Sequence, residues 1–277
     1  MDEIQETLKI NTDLAQSILT NFIKIEIERS GFERAVLGVS GGVDSALSCF
    51  LTAEALGPEN VLALHMPYET TPDQATQHAM EVIELSGVQH KSLDIAPFVD
   101  PIFERIPEAD RVRQGNIMAR MRMILLYDQS VDFNALVMGT SNKTEILLGY
   151  TTLYGDNACA LNPLGDLFKT QIWQLARAVE VPDEIVHKAP SADLWTGQTD
   201  EGELGFTYAR VDQLLYLLVD QRYSPEACVQ AGFDEDFVSE VIRRIQRTQF
   251  KRMLPPIAKL SNRTVGYDFL YLRDWGT

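Results

Sequence analysis

The sequence predicts an α/β protein: a mainly parallel sheet with helices on both faces, followed by a mainly helical C-terminal part. Three observations predict it. Short apolar runs alternate four times with stretches of helical spacing, the pattern of strand–helix units. A glycine-rich turn at residues 38–45 falls where a strand signal gives way to a helix signal. Beyond Thr170 the strand signal fades and only helical spacing continues.

The elements follow in order. Leu14, Ile18, Phe22 and Ile25 recur at helical spacing and predict an amphipathic first helix. A-V-L-G-V at residues 35–39 is a short apolar run that ends in the glycine-rich turn, and Ala46, Leu47, Phe50 and Leu51 resume helical spacing after it. V-L-A-L-H-M at residues 61–66 predicts a second buried strand, with a helix over about 72–85 and a third strand around 90–95. Ile117, Met121, Ile124 and Leu125 mark a helix over 116–130, and A-L-V-M-G-T at residues 135–140 reads as a fourth strand. Ile172, Leu175, Ala176 and Val179 form one helical face, which Pro182 should interrupt because proline lacks the N–H that a helix interior needs. Two more faces follow, at Val211, Leu214, Leu215 and Leu218 and at Val238, Val241, Ile242 and Ile245. Between them and the previous helix, residues 189–205 are polar and too long for a simple connector, which predicts a functional loop. No repeat or linker forces a boundary, so residues 1–277 are expected to form one domain, with an α/β core over 1–170 and a helical part over 171–277.

Composition narrows the function. With 40 acidic against 24 basic residues the formal charge is −16, which argues against a large nucleic-acid surface while leaving room for a small anion in a local basic pocket. No run approaches the roughly 20 apolar residues of a membrane span, and the acidic start M-D-E-I-Q-E-T lacks the features of a signal peptide. Cys49, Cys159 and Cys228 are widely spaced and odd in number, which suggests neither a disulfide framework nor a zinc site and fits a reducing cytoplasm.

The turn G-V-S-G-G-V-D-S looks like a phosphate-binding loop without that loop's lysine. Small residues at a strand-to-helix turn aim backbone N–H groups at an anion, and Ser40, Gly41, Gly42 and Ser45 fit that role. Asp44 stands near the place where a cation is expected. A carboxylate suits pyrophosphate that must leave, with Mg²⁺ supplying countercharge and Asp44 as a ligand; the alternative is that Asp44 and Ser45 only cap the helix.

Ser40-Gly41-Gly42-Val43-Asp44-Ser45 resembles the signature of the ATP pyrophosphatases, which cleave ATP between its α and β phosphates. Four further motifs resemble the NAD synthetase family in particular: G-N-x-x-A-R at 115–120, G-T-S-N-K-T-E at 139–145, G-Y-T-T-L-Y-G-D at 149–156, and P-S-A-D-L-W-T-G-Q-T-D-E at 190–201. The resemblance runs from Gly38 to about Pro256 and implies an adenine-nucleotide alpha-hydrolase-like, Rossmann-like fold. It implies ATP contacts at Gly38, Val39, Ser40, Gly41, Gly42, Val43, Asp44, Ser45, Thr140, Lys169 and Ser191, with Asp44 and Glu145 as the Mg²⁺ ligands. Lys169 and Ser191 would face the departing phosphates, and Lys169 sits at a helix start, an unfavourable end for a cation. Thr140 has a competing role as a helix N-cap, shared with Ser141 and Asn142. Arg120 and Lys251 match deamido-NAD contacts, though Arg113, Arg120 and Arg122 together also read as a solvated face. Asp156 matches a carboxylate that receives ammonium and helps deprotonate it; catalysis would rest on Asp44, Asp156 and Lys169.

The chain departs from the family pattern at Leu153, Ala160, Phe250 and His65, where relatives commonly carry lysine, aspartate, histidine and arginine, so the dinucleotide contacts of those positions do not transfer. The implied reaction is amidation of deamido-NAD⁺ through an acyl-adenylate, with ATP and ammonia as co-substrates. Only about 37 residues precede the loop, too few for the amidase domain of glutamine-dependent relatives, so free ammonia is the expected donor. The resemblance also implies a homodimer, for which the helices at 14–25 and 211–218 are candidate surfaces; the polar loop at 189–205 is expected to close over ATP. Rival readings are another ATP pyrophosphatase and a nucleotide-binding regulator without turnover.

Overall fold

The computed structural model describes residues 6–191, 193–195 and 197–269. Helix α1 (Thr12–Arg29) leads into strand β1 (Ala35–Gly38), helix α2 (Val43–Leu56), strand β2 (Val61–His65), helix α3 (Asp73–Ser86) and strand β3 (Gln89–Ser92). Helices α4 (Ala96–Phe103) and α5 (Arg111–Asp132) then precede strand β4 (Leu136–Val137). The sheet runs β3-β2-β1-β4 and every pair is parallel, with Ala35 opposite both Val61 and Leu136. Strand alternation divides the core. Ala35, Leu37, Val61 and Ala63 face one layer with Ile27, Leu47, Leu51 and Val82, whereas Val36, Leu62 and Leu64 face the other with Ile95, Val99 and Met118. Helices therefore cover both faces, as expected for a buried parallel sheet.

The later chain is helical: α6 (Lys143–Leu148), α7 (Lys169–Ala178), α8 (Asp183–His187), α9 (Asp200–Leu204), α10 (Tyr208–Leu215), α11 (Pro225–Gln230) and α12 (Glu235–Arg247). Pro182 separates α7 from α8, as its missing N–H requires. Tyr208, Val211, Leu214, Leu215, Val238 and Val241 close a separate core around Phe168 and Leu148.

Two expectations change. Strand β4 is only two residues long: the Met138 N–H still donates to the Val36 carbonyl at 2.8 Å, but Met138 bridges Leu161 and the chain then turns toward the cleft. The core face of α1 is only partly the Leu14–Ile18–Phe22–Ile25 stripe: Phe22 packs against the core, but Leu14, Ile18 and Ile25 are 57%, 56% and 46% exposed, and Ile23 and Ile27 are the buried ones. Ala15, Leu19, Ile23 and Ile27 make a neighbouring stripe at steps of four, and that stripe meets α2 and α7. The helix at 211–218, in contrast, spends its apolar face on its own core.

Replacing Ile27 by alanine is therefore expected to cost about 2–5 kcal/mol in urea unfolding, and Ile18→Ala less than about 0.5 kcal/mol. A comparable loss at Ile18 would mean that a second chain covers this face in solution.

Candidate active site

The turn after β1 is built so that its backbone stays open to an anion. Gly41 has φ +81°, and a Cβ there would lie 2.1 Å from the carbonyl oxygen of Ala75, so only glycine fits between the turn and α3. The Ser45 hydroxyl holds the turn from inside: it donates to the Gly42 carbonyl at 2.9 Å and accepts from the Ser40 N–H at 3.1 Å. Gly42 is the N-cap of α2 and offers no side-chain cap, which leaves the first N–H groups of that helix facing the cleft.

Asp44, in the first turn of α2, meets two groups from far along the chain. The Lys169 ammonium donates to its Oδ2 and lies 3.4 Å from Oε1 of Glu145. Asn142 fixes both acids: its side-chain amide donates to Asp44 Oδ1 at 2.9 Å, and it forms a reciprocal capping box with Glu145 at the start of α6. Asn142, not Thr140, is thus the cap, and Thr140 is left to line the cleft. Burial pushes the Glu145 carboxyl well above the usual carboxylate range, the charge of Asp44 adds to this, and Lys169 opposes it. Burial by itself would lower the Lys169 ammonium, but Asp44 and Glu145 more than reverse that and hold its proton.

The sequence reading missed the support beneath this cluster. Asp212 on α10 is fully buried; it accepts from the Thr144 hydroxyl at 2.6 Å and from the Thr170 N–H at 2.8 Å. Thr144 Oγ1 in turn accepts from the Lys169 N–H at 3.0 Å. One carboxylate therefore pins the starts of α6 and α7, which carry Glu145 and Lys169. An acid on the apolar face itself, four residues after Tyr208 and three before Leu215, was the available signal. Asp200 is a second missed acid, buried beside the same lysine, with its Oδ2 accepting from the Tyr208 hydroxyl at 3.1 Å.

Around the cluster opens a cavity of about 510 Å³ at the carboxyl ends of β1, β2 and β4. It gathers Gly38, Val39, Ser40, Gly42, Val43, Asp44, Ser45, Thr140, Glu145, Asp156, Lys169, Ser191 and Lys251. Gly41 lies behind this surface against α3. Arg120 does not line it: the side chain is exposed and donates to the Leu153 carbonyl at 3.2 Å. Arg122 does line it, with Nε donating to the Met66 carbonyl at 2.9 Å and burial lowering its guanidinium to about 10. Two residues on, a helix has turned by about 200°, so the side of α5 that faces the cleft carries Arg122. Lys251 reaches in from beyond α12 and donates to the Gly149 and Thr151 carbonyls at 2.7 and 2.5 Å.

Asp156 looks into this interior, with Oδ1 accepting from the Thr152 N–H at 2.6 Å. Protein surrounds that space even though the side chain meets its solvent, and this crowding raises the carboxyl, against the pull of backbone donors and Lys251. Of the departures, His65 is buried at the cleft with Nδ1 3.4 Å from the Val39 carbonyl and burial lowering its pKa. Ala160 and Phe250 are exposed, and Leu153 is half-buried. Residues 190–198 supply a wall through Pro190, Ser191, Asp193, Leu194, Trp195 and Gln198; Ala192 and Thr196 lie outside the described residues. The Thr70 hydroxyl donates to the Leu194 carbonyl at 3.2 Å and ties this wall to the opposite rim.

The donor set fits a hard divalent cation that is also held by its substrate. Among the described residues no cluster of three or more metal-ligating side chains occurs. In the cleft Asp44 and Glu145 converge on one point, which matches Mg²⁺ in its habit of taking one or two carboxylates and filling its remaining positions with phosphate oxygens and water.

Residues 15–255 match the family model for NAD synthase. An NH(3)-dependent NAD(+) synthetase of Trichlorobacter lovleyi is 56% identical over 97% of this chain and 98% of its own length. The solved structure of an NMN synthetase from Francisella tularensis is similar with a TM-score of 0.81 at 31% identity, covering 91% of this chain and 100% of that one. That of an NH3-dependent NAD synthetase from Campylobacter jejuni in complex with nitrate gives 0.77 at 32% identity, over 90% and 100%.

Asp212 offers a test of the support. Burial raises its carboxyl from 3.8 to about 6, so the folded state holds this proton more tightly than the unfolded one. That contribution to stability is complete below about pH 4 and is lost as pH rises through about 6. Urea midpoints measured across this window are expected to fall less steeply for Asp212→Asn than for the wild type. At neutral pH the variant should lose about 1–3 kcal/mol, from donors left facing an amide.

Proposed function

The chain belongs to the NAD synthase family, and from that premise we propose that it joins ammonia to deamido-NAD⁺ at the expense of ATP, giving NAD⁺, AMP and pyrophosphate. The observation that carries this reading is the convergence of Asp44, Glu145 and Lys169 on one point beside the open N-terminus of α2. Asp44 and Glu145 would hold Mg²⁺, which when bound would offset charge on the ATP phosphates.

The chain's own groups do the rest. Backbone N–H groups of the turn at 40–45 cradle the phosphates, and Lys169 and Ser191 steady the departing pyrophosphate. The nicotinate carboxylate attacks the α-phosphorus, because a carboxylate must first be turned into an acyl-adenylate before its oxygen can leave. Asp156, whose carboxyl is raised by its surroundings, takes a proton from ammonium so that neutral ammonia can attack the acyl carbon. Arg122 and Lys251 supply positive charge on the dinucleotide side of the cavity. No side chain need form a covalent bond to substrate; positioning and charge neutralisation suffice. The loop at 189–205 closes over ATP, and free ammonia is the nitrogen donor.

A homodimer belongs to the same proposal. Leu14, Ile18 and Ile25 on α1, and Val112, Ile124, Tyr127 and Val131 on α5, are apolar and exposed in the single chain. Arg120 on α5 then contacts deamido-NAD only across such an interface. Cys49, Cys159 and Cys228 are free thiols, which supports a cytoplasmic setting. No helix among the described residues is long and apolar enough to cross a membrane.

A second reading rests on the placement of Arg120 outside the cavity: the same chemistry on the smaller nicotinate mononucleotide needs no contact there. Incubation of the protein with Mg²⁺-ATP, ammonia and either acid, followed by chromatography of the products, separates the two. NAD⁺ with equimolar AMP is expected from the dinucleotide at a much higher kcat/KM than NMN from the mononucleotide; the reverse order would replace the first reading by the second, and no amide from either would sink both. Asp44→Asn and Glu145→Gln should each lower kcat at least about 10²-fold.

Asp156→Asn is expected to lower kcat/KM for ammonia about 10²–10⁴-fold while leaving pyrophosphate exchange into ATP measurable. Loss of that exchange to the same degree would give Asp156 a role in adenylation instead.

A further inference from the structure

The metal reading of Asp44 and Glu145 leaves one feature unexplained: the space between them is already taken. Lys169 places its ammonium against Asp44 Oδ2 and 3.4 Å from Glu145 Oε1, with a side chain only 3% exposed. The other oxygens are held by Asn142, through its amide to Asp44 Oδ1 and its backbone N–H to Glu145 Oε2 at 3.4 Å. The oxygens left facing one another are those that the lysine bridges. A divalent ion bound to the same two carboxylates sits about 2.0–2.1 Å from its oxygens. An ammonium that contacts both acids cannot remain between them, because two like charges would then share one gap.

Bound phosphate would offer the ammonium a new anionic partner outside the gap. Its stem rises from the first turn of α7 and its ammonium lies 5.3 Å from the centre of the Tyr208 ring, so any displacement of the ammonium would pivot about that buried base. The open N–H groups of the turn at 40–45 lie on the Asp44 side of that pivot, where a polyphosphate would bring negative charge. Asp200 acts on the same ammonium through its charge, and one of its carboxylate oxygens, Oδ1, is buried without a hydrogen-bond partner.

We propose that Lys169 is an internal place-holder for the metal: it occupies the gap between Asp44 and Glu145 until nucleotide phosphate draws it away, so that divalent cation and nucleotide enter together. The exchange rests on the metal reading given above. It makes metal and nucleotide affinities reciprocally coupled, and it locates that coupling in one side chain.

Protein-bound Mn²⁺, measured by equilibrium dialysis with the Mn²⁺–nucleotide complex of the protein-free compartment subtracted, tests this with and without α,β-methylene-ATP. The wild type should bind Mn²⁺ at least tenfold more tightly with the analogue than without it. Lys169→Gln should bind Mn²⁺ alone at least tenfold more tightly than the wild type does, with most of the coupling lost, and Lys169→Arg should behave as the wild type. Should Lys169→Gln be unstable by itself, Mn²⁺ without nucleotide should raise its melting temperature and leave that of the wild type unchanged. Equal Mn²⁺ affinity with and without the analogue in the wild type would overturn the exchange while leaving the metal reading intact. Absence of bound Mn²⁺ even with the analogue would overturn the metal reading, and the exchange with it.

Discussion

A lysine ammonium that is almost wholly out of water is the constraint on which this structure turns. Lys169 is 2% exposed, and a buried cation is tolerable only where carboxylates surround it. Asp44 and Glu145 meet that need, and doing so draws together α2, α6 and α7, whose contributions are 125 and 24 residues away from the lysine in sequence. The cluster lies where β1 and β4 end, at the mouth that a parallel sheet offers to ligands. Its strong mutual attraction and its suitability for phosphate have the same origin: several charges of both signs in little water, ready to accept a new partner.

Holding such a cluster in register falls to groups that never face the ligand. Asn142 orients both acids, and Asp212 ties the first turns of α6 and α7 through Thr144 and Thr170. These are charge-assisted bonds in a dry setting, so the helix starts are fixed from below while the cavity above stays open. The C-terminal helices have no strand to add to the sheet. Their work is to supply this floor, through α10, and to bring Lys251 to the rim beyond α12.

Much of the site could be read from sequence because its chemistry is local. Six contiguous residues set the backbone of the turn, and Gly41 is needed there for a reason that lies in its own φ and in the nearness of Ala75. Asp44, Thr140, Glu145, Asp156, Lys169, Ser191 and Lys251 all reach one cavity. Arg120 does not reach it within one chain, and Arg122, which read as part of a solvated face, does. The two differ only in which side of α5 they occupy, and nothing in an arginine-rich stretch says which side a neighbouring strand will leave open.

The sequence by itself determined the strand–helix alternation, the glycine-rich turn between a strand and a helix, and the family motifs, because each depends on residues close together in the chain. Tertiary structure alone decided which apolar stripe of α1 is buried, that β4 stops after two residues, and that Asp200 and Asp212 are buried around the cluster. It also decided that Lys169 lies between the two acids. The physical reason is common to all four. Periodicity fixes the spacing of side chains, but burial, pairing and charge neutralisation depend on what packs opposite, and those partners come from segments far apart in the chain.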